Sequence, residues 1–361
     1  MTLHTSPAAG LDGVVAATTA LSHVDGERGE LIIAGRRVDD LARETGFEGV
    51  VARLWSAARD ETLDGTEVRG ALAGARVRAF ARLARILPAT EGAPAVDGFR
   101  AGIAALVEEN GVRPEVTLVG AAPVLVAAIV RQAAGKPPVA PDPSLGHAAD
   151  LLAMLRGATP GVEEAAALDA YLVTVSDHGM NASTFAARVV ASTQADLFMA
   201  ATAGYCALSG PLHGGAPGPV LDMLDAIGSR ENIAPWIDAA LARGERLMGF
   251  GHRIYKVRDP RADVLKAAVA RLGQGGDLGL AAEVEAYARI ALAKAKPGRA
   301  LDTNVEFYTA ILLDALKVPR EAFTPVFAVG RAAGWTAHSI EQRRGGRLLR
   351  PVSLYTGVMP Q

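Results

Sequence analysis

The chain has 361 residues, 50% of them hydrophobic and 21% charged, which supplies a large core and excludes wholesale disorder. At a working size of about 150 residues per domain, that length suggests two domains. Lys and Arg number 37 against 39 Asp and Glu, a net charge of -2 that argues against a dedicated nucleic-acid binder.

The opening MTLHTSPAAG lacks a basic stretch followed by an apolar one, so no secretory signal is expected and the reading is a soluble, cytoplasmic protein. Glu30 to Ala34 reads as a brief strand between Gly29 and Gly35. From Val38 the period turns helical. Leu41 follows Val38, and after Gly46 the residues Val50, Val51, Leu54 and Trp55 share a face. Further helices are predicted at Val77–Leu87, Gly98–Glu108 and Val116–Ala134. The uncharged run Val116–Val130 is shorter than the ~20 residues of a membrane span.

Lys136–Ser144 (KPPVAPDPS) must be a loop, and His147–Arg156 and Glu163–Val175 are helices on either side of a Gly/Pro break. Asn181–Ser209 is too long for one ordinary helix, and Ser192–Asp196 reads as a break where a second helix starts with its own cap. The single cysteine, Cys206, excludes an intrachain disulfide and a cysteine metal cage, and its apolar neighbours predict burial. Gly273–Gly279 (GQGGDLG) reads as a connector. Aromatic residues are only 5%, so Ala, Leu and Val build the core and the expected fold is mostly α.

Four segments combine glycine with ionisable groups. Ser176–Asn181 places His178 after a helix, where a plain C-cap competes with a functional imidazole. Gly210–Gly215 sets His213 between Leu and two glycines that permit close backbone approach. Gly249–Arg261 gathers His252, Arg253, Lys256, Arg258 and Arg261, a density suited to anionic small molecules, with a solvated surface as the alternative. Asp302–Tyr308 opens a helix, and Thr303-x-x-Glu306 fits a capping box, while the alternative for Glu306 is a general base. Arg331 sits between Gly330 and a second glycine, Gly334. Arg350 follows the basic stretch Arg343–Arg347, which local pattern reads as solvated surface.

DHGMNASTFAARV, GPLHGGA, GFGHRIYKVRDPRA, TNVEFYTAILL and VGRAAGWTAHSIEQ, in that order, resemble the citrate synthase family over nearly the whole chain. The length is similar to that of shorter bacterial citrate/2-methylcitrate synthases. The resemblance implies an almost entirely α-helical homodimer: a large domain (1–215 and 316–361) with a smaller one (216–315) inserted in it. It implies condensation of acetyl-CoA with oxaloacetate and water to give citrate and CoA, with no cofactor and no metal. By motif position His213 matches the donor to the thioester oxygen, His252 the residue that polarises the oxaloacetate carbonyl, and Glu306 the base. His178, Arg261 and Arg331 match oxaloacetate ligands, and Arg350 one reached from the neighbouring subunit. Arg253, Lys256 and Arg258 are CoA candidates from charge and position only.

This sequence departs from the family at Glu306, where Asp is usual. It also has Val175 where some larger bacterial members carry a histidine, and Pro217-Gly218-Pro219 after the GPLHGGA motif. Two other readings stay open: a 2-methylcitrate synthase using propionyl-CoA, since one methylene is worth only about 1–3 kcal/mol of discrimination, and a catalytically weak binding or regulatory dimer. No nucleic-acid or membrane partner is expected.

Overall fold

The computed structural model describes residues 11, 13–211, 213, 217–252, 254–273, 275–299 and 301–360, with the side chains of 275–278 left aside. Among them the chain forms fifteen α-helices and one small antiparallel sheet. The mostly α expectation holds. Several helices begin where the sequence supplies a side-chain oxygen: Asp64, Asn181, Asp196, Asp259 and Asn304 each accept first-turn backbone N–H groups.

The sheet comes first, with β1 Ser22–Asp25, β2 Glu30–Ile33 and β3 Arg36–Arg37 in sequential order, and Ser22 opposite Ile33. Only β2 carries the alternation that reveals a strand, with Leu31 and Ile33 buried. β1 has the same length but no buried alternation, and β3 has only two residues.

Next come α1 Val38–Glu44, α2 Gly46–Arg59, α3 Gly65–Ile86, α4 Ala95–Ala104 and α5 Pro114–Ala133. The inward face of α2 carries Phe47, Val50, Val51, Leu54 and Trp55, and the Trp55 indole donates to Thr336 Oγ1 at 2.8 Å. Helix α3 starts twelve residues before the predicted Val77, because Asp64 caps it and Gly65, Gly70 and Gly74 hide the period. Helix α5 has 20 residues and is long and apolar enough to cross a membrane, but 83% of its apolar window is buried inside the protein. It is the central core helix, packed on α3, α4 and α6 (His147–Arg156).

Helices α7 Val162–Val175, α8 Ala182–Ser192 and α9 Leu197–Leu208 follow, and the predicted break at 192–196 is present, with Asp196 accepting from Met199 N. Cys206 is exposed on α9, which corrects the expected burial: Leu197, Ala201, Tyr205 and Leu208 form the inward stripe, and residue 206 falls outside it. Beyond lie α10 Pro217–Ile227, α11 Ile233–Ala242, α12 Pro260–Arg271, α13 Gly275–Ala295, α14 Val305–Ala315 and α15 Phe323–Gly345. Helix α13 begins inside the predicted Gly273–Gly279 connector, so that segment is only partly a linker.

Helix α15 is buried along most of its length and packs on α2, α5, α7, α8 and α9. Its glycines make this possible. A Cβ on Gly330 would lie 2.6 Å from Val175 Cγ2 and 3.0 Å from Leu172 O, and one on Gly334 would lie 2.9 Å from Asp177 Oδ1. Helix α7 and the loop after it are thereby pressed against the arginine at position 331.

Candidate active site

The loop after α7 carries Asp177 and His178. Helix α7 ends with Ser176 as its C-cap, so His178 stands beyond the helix and is not the cap its position suggested. Asp177 is fully buried; its Oδ2 accepts from Ser22 Oγ at 2.5 Å and faces His338 Nε2 at 3.2 Å. Arg188 Nη1 lies 2.9 Å from His338 Nδ1. A guanidinium only donates, so His338 accepts there and donates through Nε2 to Asp177. Burial pushes the Asp177 carboxyl up, but His338, Ser22 and Arg331 outweigh it and hold the group below its ordinary value.

Asn181 organises the next two imidazoles. Its Oδ1 accepts from Ser183 N and Thr184 N, both at 3.0 Å, which fixes the amide orientation. His213 Nε2 lies 3.2 Å from that same oxygen and therefore donates to it. His178 Nδ1 lies 3.5 Å from Asn181 Nδ2, which donates to Gly179 O at 3.2 Å and Thr184 Oγ1 at 3.0 Å. Burial, with Arg331 and Arg261 after it, drives His178 well below its ordinary value. Burial and Arg331 bring His213 to about 4. Both rings are neutral at pH 7.

His252 comes from a loop zipped to the segment before α14. Gly249 and Gly251 adopt φ +83° and +81°, where a side chain would be strained. Gly251 N donates to Asp302 O at 2.7 Å, Asn304 N to Gly249 O at 3.0 Å, and Asn304 Nδ2 to Gly251 O at 2.9 Å. His252 Nδ1 accepts from Ile254 N at 3.0 Å and Tyr255 N at 3.1 Å, so the proton sits on Nε2. Burial, reinforced by Arg261, lowers this imidazole to about 4. It is a neutral N–H donor.

Arg261 opens α12 and is held by Asp259, its own N-cap: Nε reaches Oδ1 at 3.0 Å and Nη2 reaches Oδ2 at 2.7 Å. Asp259 Oδ2 also accepts from Val305 N at 3.1 Å, tying the start of α12 to the start of α14. That contact bears on Glu306. The predicted capping box is absent: Asn304 is the N-cap and accepts from Glu306 N at 3.0 Å, while Thr303 Oγ1 donates to Glu285 at 2.8 Å. Asn outranks Thr as a cap, and the shift of one residue frees the Glu306 side chain. Burial pushes its carboxyl up to about 7; Asp259 adds to the rise, and Arg261 and Arg331 oppose it.

Arg331 is fully buried in α15. Its Nε donates to Val175 O at 2.7 Å, but neither Nη1 nor Nη2 has a hydrogen-bond partner. Burial lowers this guanidinium to about 10, so it is still a cation at neutral pH. A buried cation with two idle donors is costly unless an anion completes it.

The family profile described as citrate synthase, C-terminal domain, matches residues 10–352. The chain is 38% identical to a citrate synthase of Haloferax volcanii, covering 96% of this chain and 95% of that one. It is 35% identical to a 2-methylcitrate synthase of Mycobacterium tuberculosis, covering 96% and 90%. The chain belongs to the citrate synthase family. Among solved structures, citrate synthase of Thermotoga maritima superposes with a TM-score of 0.84 at 30% identity, covering 98% of this chain and 96% of that one. Thermoplasma acidophilum citrate synthase, in a ternary complex with carboxymethyl coenzyme A and oxaloacetate, superposes with 0.86 at 26% identity, covering 98% and 97%.

The remaining predicted residues of this citrate synthase family member are scattered. Lys256 pairs with Glu27 in the hairpin turn, and Arg258 with Asp263 at 2.6 Å and Glu285 at 2.7 Å. Arg253 lies outside the described residues. Arg350 is exposed in the tail after α15, outside any helix or strand. A cavity beside His252 is lined instead by Arg246, Lys296 and Arg299, three cations that sequence patterning did not single out because they stand in separate segments. Asn181, Asp259 and Tyr171 were likewise not singled out: in the structure the first two are helix N-caps and the third is buried in α7.

Proposed function

We propose that the protein is a citrate synthase, joining the acetyl carbon of acetyl-CoA to the keto carbon of oxaloacetate and hydrolysing the thioester to citrate and CoA. The observation that carries this is a buried carboxyl pushed up to about 7 (Glu306) under the charges of two buried arginines, Arg261 and Arg331, with an imidazole fixed as a neutral Nε2–H donor (His252) under the same Arg261 and Asp259. Carbon–carbon bond formation next to a thioester needs a base of matched pKa and donors for two developing oxyanions.

Glu306 takes a methyl proton from the acyl group. His213 serves the enolate oxygen, which requires its Nε2–H to leave Asn181 for the substrate. The carbanion equivalent attacks the ketone, whose oxygen His252 polarises through Nε2–H. Arg331, Arg261 and His178 hold the carboxylates. Arg246, Lys296 and Arg299 supply cations for the CoA, alongside the candidates Arg253, Lys256 and Arg258. Acetyl-CoA is a substrate, and the reading involves no cofactor.

In this reading residues 216–315 form a smaller inserted domain, and its closure on the rest excludes water until the bond is made. The chain acts as a homodimer. Leu348, Val352, Leu354, Tyr355, Val358 and Met359 are more than half exposed on the tail, an apolar strip suited to a second copy and able to carry Arg350 to the neighbouring site. The 2-methylcitrate reading is supported by the mycobacterial relative. Release of free CoA thiol with oxaloacetate plus acetyl-CoA or propionyl-CoA tests both. The expected result is turnover with a higher kcat/KM for acetyl-CoA; a propionyl preference promotes the second reading, and no thiol release with either donor overturns both.

A further inference from the structure

We infer that Tyr171 is a further oxaloacetate ligand, its phenol O–H donating to the carboxylate received by the idle Nη groups of Arg331. The inference rests on the proposed use of oxaloacetate.

Tyr171 is completely buried, and its hydroxyl has no hydrogen-bond partner. Buried tyrosine hydroxyls normally find one, because an unmade hydrogen bond in the interior is expensive. The position of the residue is informative. Helix α7 packs against α12, α14 and α15, the helices that carry Arg261, Glu306 and Arg331. Tyr171 and Val175 are one turn apart on one face of α7, and it is the Val175 carbonyl that takes Arg331 Nε. Gly330 lets the two helices approach closely enough for that contact. The charges that act on the phenol are those of Glu306, Arg331 and Arg261.

Burial, and after it Glu306, drives the phenol well above its ordinary value, so the oxygen keeps its proton and is available as a donor. Three donor atoms here are therefore unused: Nη1 and Nη2 of Arg331 and the hydroxyl of Tyr171. What completes three donors around a buried cation is an anion with several acceptor lone pairs. A carboxylate offers about four, of which a guanidinium fork uses two and a phenol a third. Asp177 and Glu306 are the competing acceptors. Asp177, whose charge acts on Arg331, leaves its Oδ1 without a hydrogen-bond partner, but the charges that act on the phenol are those of Glu306, Arg331 and Arg261. No hydrogen bond joins Glu306 to Tyr171, and a phenol donating to that carboxylate would hold it down, whereas it stands raised to about 7.

The test is Tyr171→Phe, which deletes one oxygen and keeps the ring. Oxaloacetate binding is measured by calorimetry on ligand-free enzyme, with steady-state kinetics beside it. The expected result is a roughly 10- to 100-fold weaker oxaloacetate Kd and a parallel rise in its KM, from losing one hydrogen bond to a charged group. The acyl-CoA KM and the acid limb of the pH profile stay in place. Ligand-free Y171F melts at or above the wild-type temperature, since only an unpaired hydroxyl is removed; a lower melting point would mean that the hydroxyl has a structural partner and overturns the inference. So does oxaloacetate binding within twofold of wild type, or an unchanged KM with a displaced acid limb. Failure of the wild type to bind oxaloacetate overturns the functional reading instead.

Discussion

Two arginines are buried a few helices apart, and their surroundings differ completely. Arg261 at the head of α12 is neutralised by its own N-cap, Asp259, through two hydrogen bonds, and the pair also pins the start of α14. Arg331, in the middle of α15, has one carbonyl contact and two bare Nη groups. The first is part of the scaffold. The second is left incomplete by the fold. A satisfied buried ion pair keeps helices in register, while an unsatisfied cation stores binding capacity at the expense of stability.

The largest effect is expected at the carboxylate that both arginines face. Glu306→Gln should lower kcat by roughly 100- to 10,000-fold, the usual worth of a general base, with oxaloacetate affinity preserved in a binding assay. Arg261→Met should lose about 1,000-fold in kcat/KM and also about 3–5 kcal/mol of stability in denaturant melts, because Asp259 is stranded in the interior. Arg331→Met should lose a similar factor in kcat/KM yet melt at or above the wild-type temperature. If Arg331→Met unfolds as readily as Arg261→Met, the contrast between the two arginines is broken.

A pH profile sharpens it further. Activity needs Glu306 ionised, so kcat/KM should rise about tenfold per pH unit below about 7 and level off above. His252 and His213 stay neutral until about 4 and do not contribute to that limb. Both arginines favour the ionised carboxylate, Arg261 more than Arg331. Residual activity in Arg261→Met should therefore show the larger upward displacement of the limb. Stability follows the same groups with opposite signs. Glu306, raised in the folded state, costs stability as pH climbs from about 4.5 to about 7; His252 and His213, lowered in the folded state, cost stability as pH falls from about 6.5 to about 4. The smallest effect belongs to Lys256→Ala, which breaks only an exposed pair with Glu27 and should leave the melting curve unchanged.

Much of this was legible in the sequence because helix ends advertise themselves. Asp196 and Gly157 marked boundaries within a residue, and the glycine-flanked histidines marked the site. Other features escaped for local reasons. β1 escaped because its four residues do not alternate in burial as those of β2 do, and β3 because it has only two residues. The cap of α14 was misassigned by one position because Thr303 and Asn304 are both competent. Tyr171 lies in a run of apolar residues whose pattern says only that it is buried, and a buried hydroxyl without a partner is visible only once its neighbours are placed.

The amino-terminal hairpin has no site residue, yet it fastens several of them. Ser22 holds Asp177, Gly26 O accepts from Lys256 N at 2.9 Å, and Ala20 N donates to Glu341 at 2.9 Å, across 321 positions of sequence. The last of those contacts joins the segment beside β1 to α15, far apart in the sequence. This segment must wait, without that partner, until α15 has been made. Acquisition of activity during synthesis should thus be a late, single event, with no partly working enzyme before it.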